Sequence, residues 1–130
     1  MQVHEFAEPI LPEGPGAVGV VFLHGFTATP WTLRDWAERT AAAGYRVSVP
    51  RLPGHGTTWR ELEVTDGRDW YAAAERAFLD LRALCPVVFV VGLSMGGALA
   101  LRLAEQNPDD VRGLVLVNPA LQGNPQLALV

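Results

Sequence analysis

The chain has 130 residues, 49% apolar and 18% charged, which predicts one folded domain with a buried core. Its net charge of −4, without a basic cluster, argues against nucleic-acid binding, and its longest apolar runs are too short for stable membrane insertion. The N-terminus has no basic region followed by an apolar stretch, so we expect no secretory signal and a cytoplasmic location. Cys85 is the single cysteine, which excludes an intrachain disulfide, and we expect no metal site.

Apolar runs and amphipathic segments alternate along the chain. Segment 8–17, rich in proline and glycine, is predicted to be a loop or a weak edge strand. Four later runs are continuously apolar, which is typical of buried parallel strands, and they span 17–23, 46–50, 87–92 and 112–118.

Three helices are predicted between these strands. The first is capped by Thr29 and ends at Gly44, with apolar positions at the helical period. The second begins near Asp66 and stops before Pro86. The third, residues 95–106, is apolar on most sides and should be buried. This order predicts a single α/β domain over residues 1–130, with a mostly parallel sheet and helices on both faces.

The segment VVGLSMGG carries the pattern G-x-S-x-G at a strand-to-helix junction. A sharp turn there exposes the Ser94 hydroxyl, and glycines are needed two residues before and after it, at Gly92 and Gly96, because the turn is crowded. A phosphate-binding loop is excluded at this segment, since it has no Lys-Ser/Thr ending and does not match G-x-G-x-x-G. Ser94 is predicted as a nucleophile, with a plain packing turn as the alternative.

The segment HGFTATP follows the first long strand. An oxyanion hole of this type takes one N–H from the residue after the nucleophile, Met95, and one from this earlier loop, Phe26. His24 and Gly25 are predicted to shape the loop, in preference to His24 acting as the catalytic base. In the segment RLPGHGTT, His55 lies between two glycines, and an incidental histidine in a turn is favoured over a role at the rim of the site.

These segments resemble the N-terminal half of the α/β-hydrolase fold. Within that fold they are similar to bacterial carboxylesterases and monoacylglycerol lipases, in the branch that also holds serine aminopeptidase-like proteins. The resemblance covers about Gly14 to Ala120 and rests on GVVFLHGFTATPWTLRDWAERTAAAGYRVSVPRLPGHGTTWREL, VFVVGLSMGGALALRLAE and VRGLVLVNPA. It implies a central strand VVGLS, a Ser94 nucleophile, oxyanion donors at Phe26 and Met95, a small-molecule ester as substrate, and neither metal nor cofactor.

The sequence departs from this family after the serine. The family's acid and histidine follow the nucleophile, whereas here no histidine does, and the carboxylates Glu105, Asp109 and Asp110 lie at the far end of the third helix. The family's cap is missing as well. We therefore expect a truncated, nearly inactive nucleophile half with an incomplete sheet, whose last strand would be an exposed apolar edge.

Two other functions remain open from the sequence. One keeps the fold and changes the reaction to that of an amidase, a peptidase or an acyltransferase, because selectivity depends on the missing cap. The other is a non-catalytic binding module of the same fold, although three intact active-site loops argue against it. The sequence does not predict the oligomeric state.

Overall fold

The computed structural model describes residues 2–121 of the chain. The elements are β1 (Ile10–Glu13), β2 (Val18–Leu23), a 3-10 turn η1 (Pro30–Leu33), α1 (Arg34–Ala42), β3 (Arg46–Val49), α2 (Trp59–Glu63), α3 (Gly67–Leu84), β4 (Val87–Leu93), α4 (Met95–Gln106) and β5 (Val111–Val117).

The strands form one sheet in the order β1-β3-β2-β4-β5. The pairs β3-β2, β2-β4 and β4-β5 are parallel, and β1 lies antiparallel along the outer side of β3. The four predicted strands are confirmed, and the strand before Ser94 lies between its two expected neighbours. Segment 8–17 contains an edge strand, so the sheet has five strands where the sequence predicted about four.

Helices cover both faces of this sheet, as predicted. Successive strand residues point to opposite faces, so Val21 and Leu23 pack with α3 and α4, whereas Val20 and Phe22 pack with Leu33 and α1. Two apolar layers result, one on each side of β2 and β4. This double cover explains why the sequence of these strands is continuously apolar.

Side-chain caps mark the starts of η1 and α3, at the predicted cap Thr29 and at Asp66. Thr29 Oγ1 accepts a bond from the Trp31 N–H (3.3 Å), but the chain first makes a 3-10 turn before it continues as α1. At the start of α3, Asp66 accepts from the N–H of Asp69 (3.3 Å), and the Asp69 carboxylate accepts from the N–H of Asp66 (3.0 Å). The third predicted helix forms over the predicted residues and is α4 of the structure. No helix within residues 2–121 is both long and apolar enough to cross a bilayer.

Strand β5 lies at the border of the sheet. Among residues 2–121 it pairs on one side only, with β4. Its face toward α3 and α4 is covered, since Leu114 and Leu116 pack against that layer. On the opposite face Val115 is 44% exposed, so the apolar edge that the sequence predicted is present in this part of the chain.

Candidate active site

The carboxyl ends of β2, β4 and β5 lie side by side. Leu23 of β2 is paired with Gly92 of β4, and Leu93 of β4 is paired with Val117 of β5. The segments that leave these strands therefore meet at one edge of the sheet. This edge is where parallel α/β sheets place their ligand sites.

Ser94 lies in the turn between β4 and α4 with a strained backbone. Its φ of 55° and ψ of −117° fall in a region that L-residues rarely adopt. Such conformations cost about 1–3 kcal/mol and persist only where surrounding contacts fix them. Here the Ser94 N–H donates to the Val117 carbonyl (2.9 Å), and the Ser94 carbonyl accepts from the Ala120 N–H (3.0 Å). The side chain is half-buried, and within residues 2–121 nothing hydrogen bonds its hydroxyl.

The two glycines of the pattern permit close contacts around this turn. A Cβ on Gly92 would overlap the Gly96 carbonyl group and would lie 2.6 Å from the Gly97 Cα. A Cβ on Gly96 would overlap the carbonyl oxygen of Leu23 at the end of β2. Helix α4 can therefore begin directly against the ends of β2 and β4, which aims its first N–H groups at the space beside Ser94.

Gly25 brings the loop after β2 against the serine. A Cβ on Gly25 would lie 3.4 Å from the Ser94 Cβ and 4.0 Å from its Oγ. The loop then turns back, because the Ala28 N–H donates to the Gly25 carbonyl (3.1 Å) and Thr27 has a positive φ of 64°. Phe26 is the second residue of this turn, and its side chain is 38% exposed. The fold thus brings HGFTATP and G-x-S-x-G together.

Two backbone N–H groups flank Ser94 without an internal acceptor. Neither the Phe26 N–H nor the Met95 N–H donates a hydrogen bond to any other group in residues 2–121. Met95 is nevertheless buried, with 1% of its surface exposed, and a buried N–H that lacks a partner is rare in proteins. Neither group is therefore occupied by an acceptor within residues 2–121. Their use in catalysis remains a prediction.

His24 links the oxyanion loop to the loop after β3. Its Nε2 accepts from the Leu52 N–H (3.1 Å), so Nδ1 carries the proton and donates to the Gly25 carbonyl (2.9 Å). The side chain is fully buried, and burial is the main reason that its pKa falls to about 4. Both ring nitrogens are engaged, so His24 is not available as a base for Ser94.

His55 lies in the interior of the site, not in an exposed turn. It is 1% exposed, and its ring contacts those of His24, Phe26 and Trp70 at centroid distances of 5.0, 5.8 and 5.5 Å. Burial lowers its pKa, and its Nε2 has no hydrogen-bond partner within residues 2–121. The structure places His55 in a turn, as predicted, but buries it against Phe26, which the sequence did not predict.

The carboxylates after Ser94 lie far from it. Helix α4 has 12 residues at about 1.5 Å each, which separates its ends by about 18 Å. At the far end, Glu105 pairs with Arg102 (3.8 Å), and Asp110 pairs with Arg82 (3.4 Å). In the part of the chain that the structure describes, no group of three metal-binding side chains is gathered. Within residues 2–121 the fold thus brings Ser94 and the two predicted oxyanion residues together, while Glu105 and Asp110 lie at the opposite end of α4.

A cavity of about 500 Å³ opens beside Phe26, and the sequence did not predict it. Its other walls come from the short helix α2 and the start of α3, including Trp59, Leu62 and Trp70. The Trp70 indole N–H donates to the Pro53 carbonyl (3.2 Å), which ties α3 to the loop that carries His55. The signal available in the sequence was a pair of tryptophans, Trp59 and Trp70. Each follows shortly after a residue that caps a helix, Thr58 for α2 and Asp66 for α3.

Comparison with known proteins agrees with this geometry. The profile of the alpha/beta hydrolase family matches residues 20–130. A thermostable monoacylglycerol lipase from Bacillus sp. (strain H-257) is 49% identical over 115 residues, which cover 88% of this chain and 45% of the lipase. An esterase from Mycobacterium tuberculosis is 39% identical over 122 residues, covering 88% of this chain and 38% of the esterase.

A solved structure supports the same relationship. A metagenome-derived lipolytic enzyme superposes with a TM-score of 0.90 at 44% identity, over 98% of this chain and 52% of that enzyme. This chain spans less than half the length of the two curated relatives, 45% and 38%. The matched region contains both the oxyanion loop and the serine turn. The chain belongs to the alpha/beta hydrolase family.

Proposed function

We propose that Ser94 is the nucleophile of a hydrolase that cleaves carboxylic esters through an acyl-enzyme. One observation carries this proposal: the strained Ser94 turn lies against Gly25, and the N–H groups of Met95 and of Phe26, the residue after Gly25, have no acceptor within residues 2–121. Family membership and the 49% identity to a monoacylglycerol lipase support it. Esters of short or medium acyl chains, including monoacylglycerols, are the proposed substrates.

The chemistry follows from this arrangement. Ser94 Oγ attacks the ester carbonyl carbon, and the oxygen that becomes negative is stabilised by the two N–H groups and by the positive end of the α4 dipole. Collapse of the tetrahedral intermediate releases the alcohol and leaves the acyl group on Ser94. Water then cleaves the acyl-enzyme. Because the donors are backbone groups fixed by β2 and α4, they need little rearrangement during the reaction.

A serine also needs a base to remove its proton. His24 has both nitrogens engaged, and no histidine follows Ser94 in the sequence. We therefore place the acid and the histidine of the whole protein outside these 130 residues, in the family's order after the serine. The share of the monoacylglycerol lipase that this chain spans, 45%, supports that placement. Alone, the chain would retain only the oxyanion-hole contribution, roughly 10³–10⁴-fold over water.

Fluorophosphonate labelling of the protein expressed from its own gene tests whether Ser94 is the nucleophile. A fluorophosphonate should react with the wild-type protein, and peptide mass spectrometry should locate the adduct on Ser94. Ser94→Ala should abolish the adduct, while circular dichroism shows that the fold is kept. An unlabelled wild type, or an adduct that survives in Ser94→Ala, would refute the proposal and favour a binding module.

A further inference from the structure

We propose that the cavity beside Phe26 binds an uncharged, apolar portion of the ester, either its acyl chain or its alcohol. This inference rests on the proposed function, because Phe26 supplies both a wall of the cavity and an oxyanion N–H. A group bound in the cavity would therefore lie against Phe26, the residue whose N–H is proposed to bind the carbonyl oxygen of the ester. The volume of about 500 Å³ falls within the range of about 300–1,000 Å³ that is usual for small-molecule pockets.

The walls of the cavity select for apolar groups. Phe26, Trp59, Leu62 and Trp70 supply most of the lining, and the Phe26 and Trp70 rings lie 5.4 Å apart. Aromatic side chains bury large apolar areas, so an alkyl or aryl group gains by leaving water here.

Two polar groups of the lining, those of Trp70 and Thr65, already have partners within the protein. The Trp70 indole N–H donates to the Pro53 carbonyl (3.2 Å) and to the Thr65 hydroxyl (3.0 Å), and that hydroxyl donates to the Leu62 carbonyl (2.6 Å). The Trp70 indole and the Thr65 hydroxyl therefore offer no free donor to a ligand.

Charge makes the cavity unfavourable for anions. Glu63 and Asp66 both line it. The Asp66 carboxylate accepts bonds from the backbone and side chain of Arg68 at 2.9 and 3.0 Å, whereas Glu63 forms no ion pair within residues 2–121. A carboxylate-bearing ligand would meet the uncompensated Glu63 charge. An uncharged ligand of the same length would not.

Binding to the chain alone tests this inference independently of catalysis. The probes are 1-hexanol and hexanoate, which match in length and differ in charge, observed through the indole N–H signals of the ¹⁵N-labelled protein. Hexanol should shift the signals of Trp59 and Trp70 saturably and leave those of Trp31 and Trp36 unchanged. Hexanoate should bind more weakly. Each added methylene from butanol to octanol should tighten binding about fourfold, the equivalent of about 0.8 kcal/mol.

Two variants and one matched control sharpen this test. Trp59 is 68% exposed, so Trp59→Ala should keep the fold and weaken hexanol binding about threefold or more. Trp31→Ala removes a tryptophan that is also exposed, 52%, but lies outside the cavity, and it should leave binding unchanged. Glu63→Gln should narrow the preference for hexanol over hexanoate. Equal binding of both probes, or shifts of all four indole signals alike, would overturn the proposal.

Acylation of Ser94 by two series of esters shows whether the cavity binds the acyl chain or the alcohol. If longer acyl chains on p-nitrophenyl esters react faster, and Trp59→Ala removes the gain, the cavity holds the acyl chain. If the same gain occurs with acetate esters of longer alcohols, it holds the alcohol. A Trp59-dependent gain in neither series, with Ser94 still labelled by fluorophosphonate, would overturn this inference and leave the proposed function standing.

Discussion

The buried His24 makes a quantitative prediction about acid stability. Its pKa is about 4 in the folded protein, against 6.5 for an ordinary histidine, because burial disfavours the charged ring and the nearby His55 and Arg51 add to that effect. Between pH 6.5 and 4 the unfolded chain therefore binds the proton and the folded chain does not. The stability that the neutral His24 ring contributes is fully present above pH 6.5, and it is lost as the pH falls from 6.5 to 4.

The size of this effect follows from the difference of 2.5 pH units between the ordinary pKa of histidine, 6.5, and the pKa of His24 in the folded protein, about 4. At about 1.36 kcal/mol per unit, His24 alone should lower the free energy of unfolding by about 3 kcal/mol between pH 7 and pH 4. A proton on Nε2 would also face the Leu52 N–H at 3.1 Å, which breaks the link between the two loops of the site.

Urea unfolding at pH 7, 6, 5 and 4 measures this contribution. The comparison is with His24→Asn, which removes this titrating ring while every other titratable residue of the chain is still present. The free energy of unfolding of the wild type, relative to that of His24→Asn, should fall by about 3 kcal/mol between pH 7 and pH 4. A gap that stays constant from pH 7 to 4, or an NMR titration of the His24 ring with a midpoint near 6.5, would refute the assignment of a buried neutral ring.

Three glycine-related changes test the site further. Gly96→Ala should lower the free energy of unfolding by at least about 1–3 kcal/mol in urea titrations, because its Cβ would overlap the Leu23 carbonyl oxygen; an unchanged stability would contradict the close contact. Gly25→Ala places a methyl group only in ordinary contact, 3.4 Å from the Ser94 Cβ, so stability should change by less than about 1 kcal/mol while fluorophosphonate labelling slows. Labelling at the wild-type rate would show that the loop lies farther from the serine. Ser94→Gly should be more stable than Ser94→Ala by about 1 kcal/mol, because glycine accepts a φ of 55° and alanine does not. Equal stabilities of these two variants would argue against backbone strain.

The central strands and the serine turn could be predicted from sequence because their signals are local. A continuous apolar run indicates a doubly covered strand, and glycines on both sides of Ser94 indicate a crowded turn. The cap at Asp66 likewise fixes the start of α3, because its partners lie within three residues.

The features that the sequence missed, or left as one of two alternatives, depend on contacts between distant parts of the chain. Helix α2 has five residues and none is buried, so it leaves no apolar periodicity. Strand β1 exists because it pairs with β3, some 35 residues later in the chain. His55 is buried because Trp70 and Phe26 pack around it from two other segments. The cavity has the same origin, since its walls come from the oxyanion loop, α2 and α3.

Acylation by p-nitrophenyl butyrate tests the central claim most directly. If Ser94 is the nucleophile and no base of this chain acts on it, the chain should be acylated slowly and deacylated slowly, since water also needs a base. The purified chain should therefore release about one p-nitrophenolate per molecule and carry a butyryl group on Ser94, and Ser94→Ala should do neither. Sustained turnover that Ser94→Ala abolishes would contradict the missing base, and a butyryl group on any other residue would contradict the nucleophile.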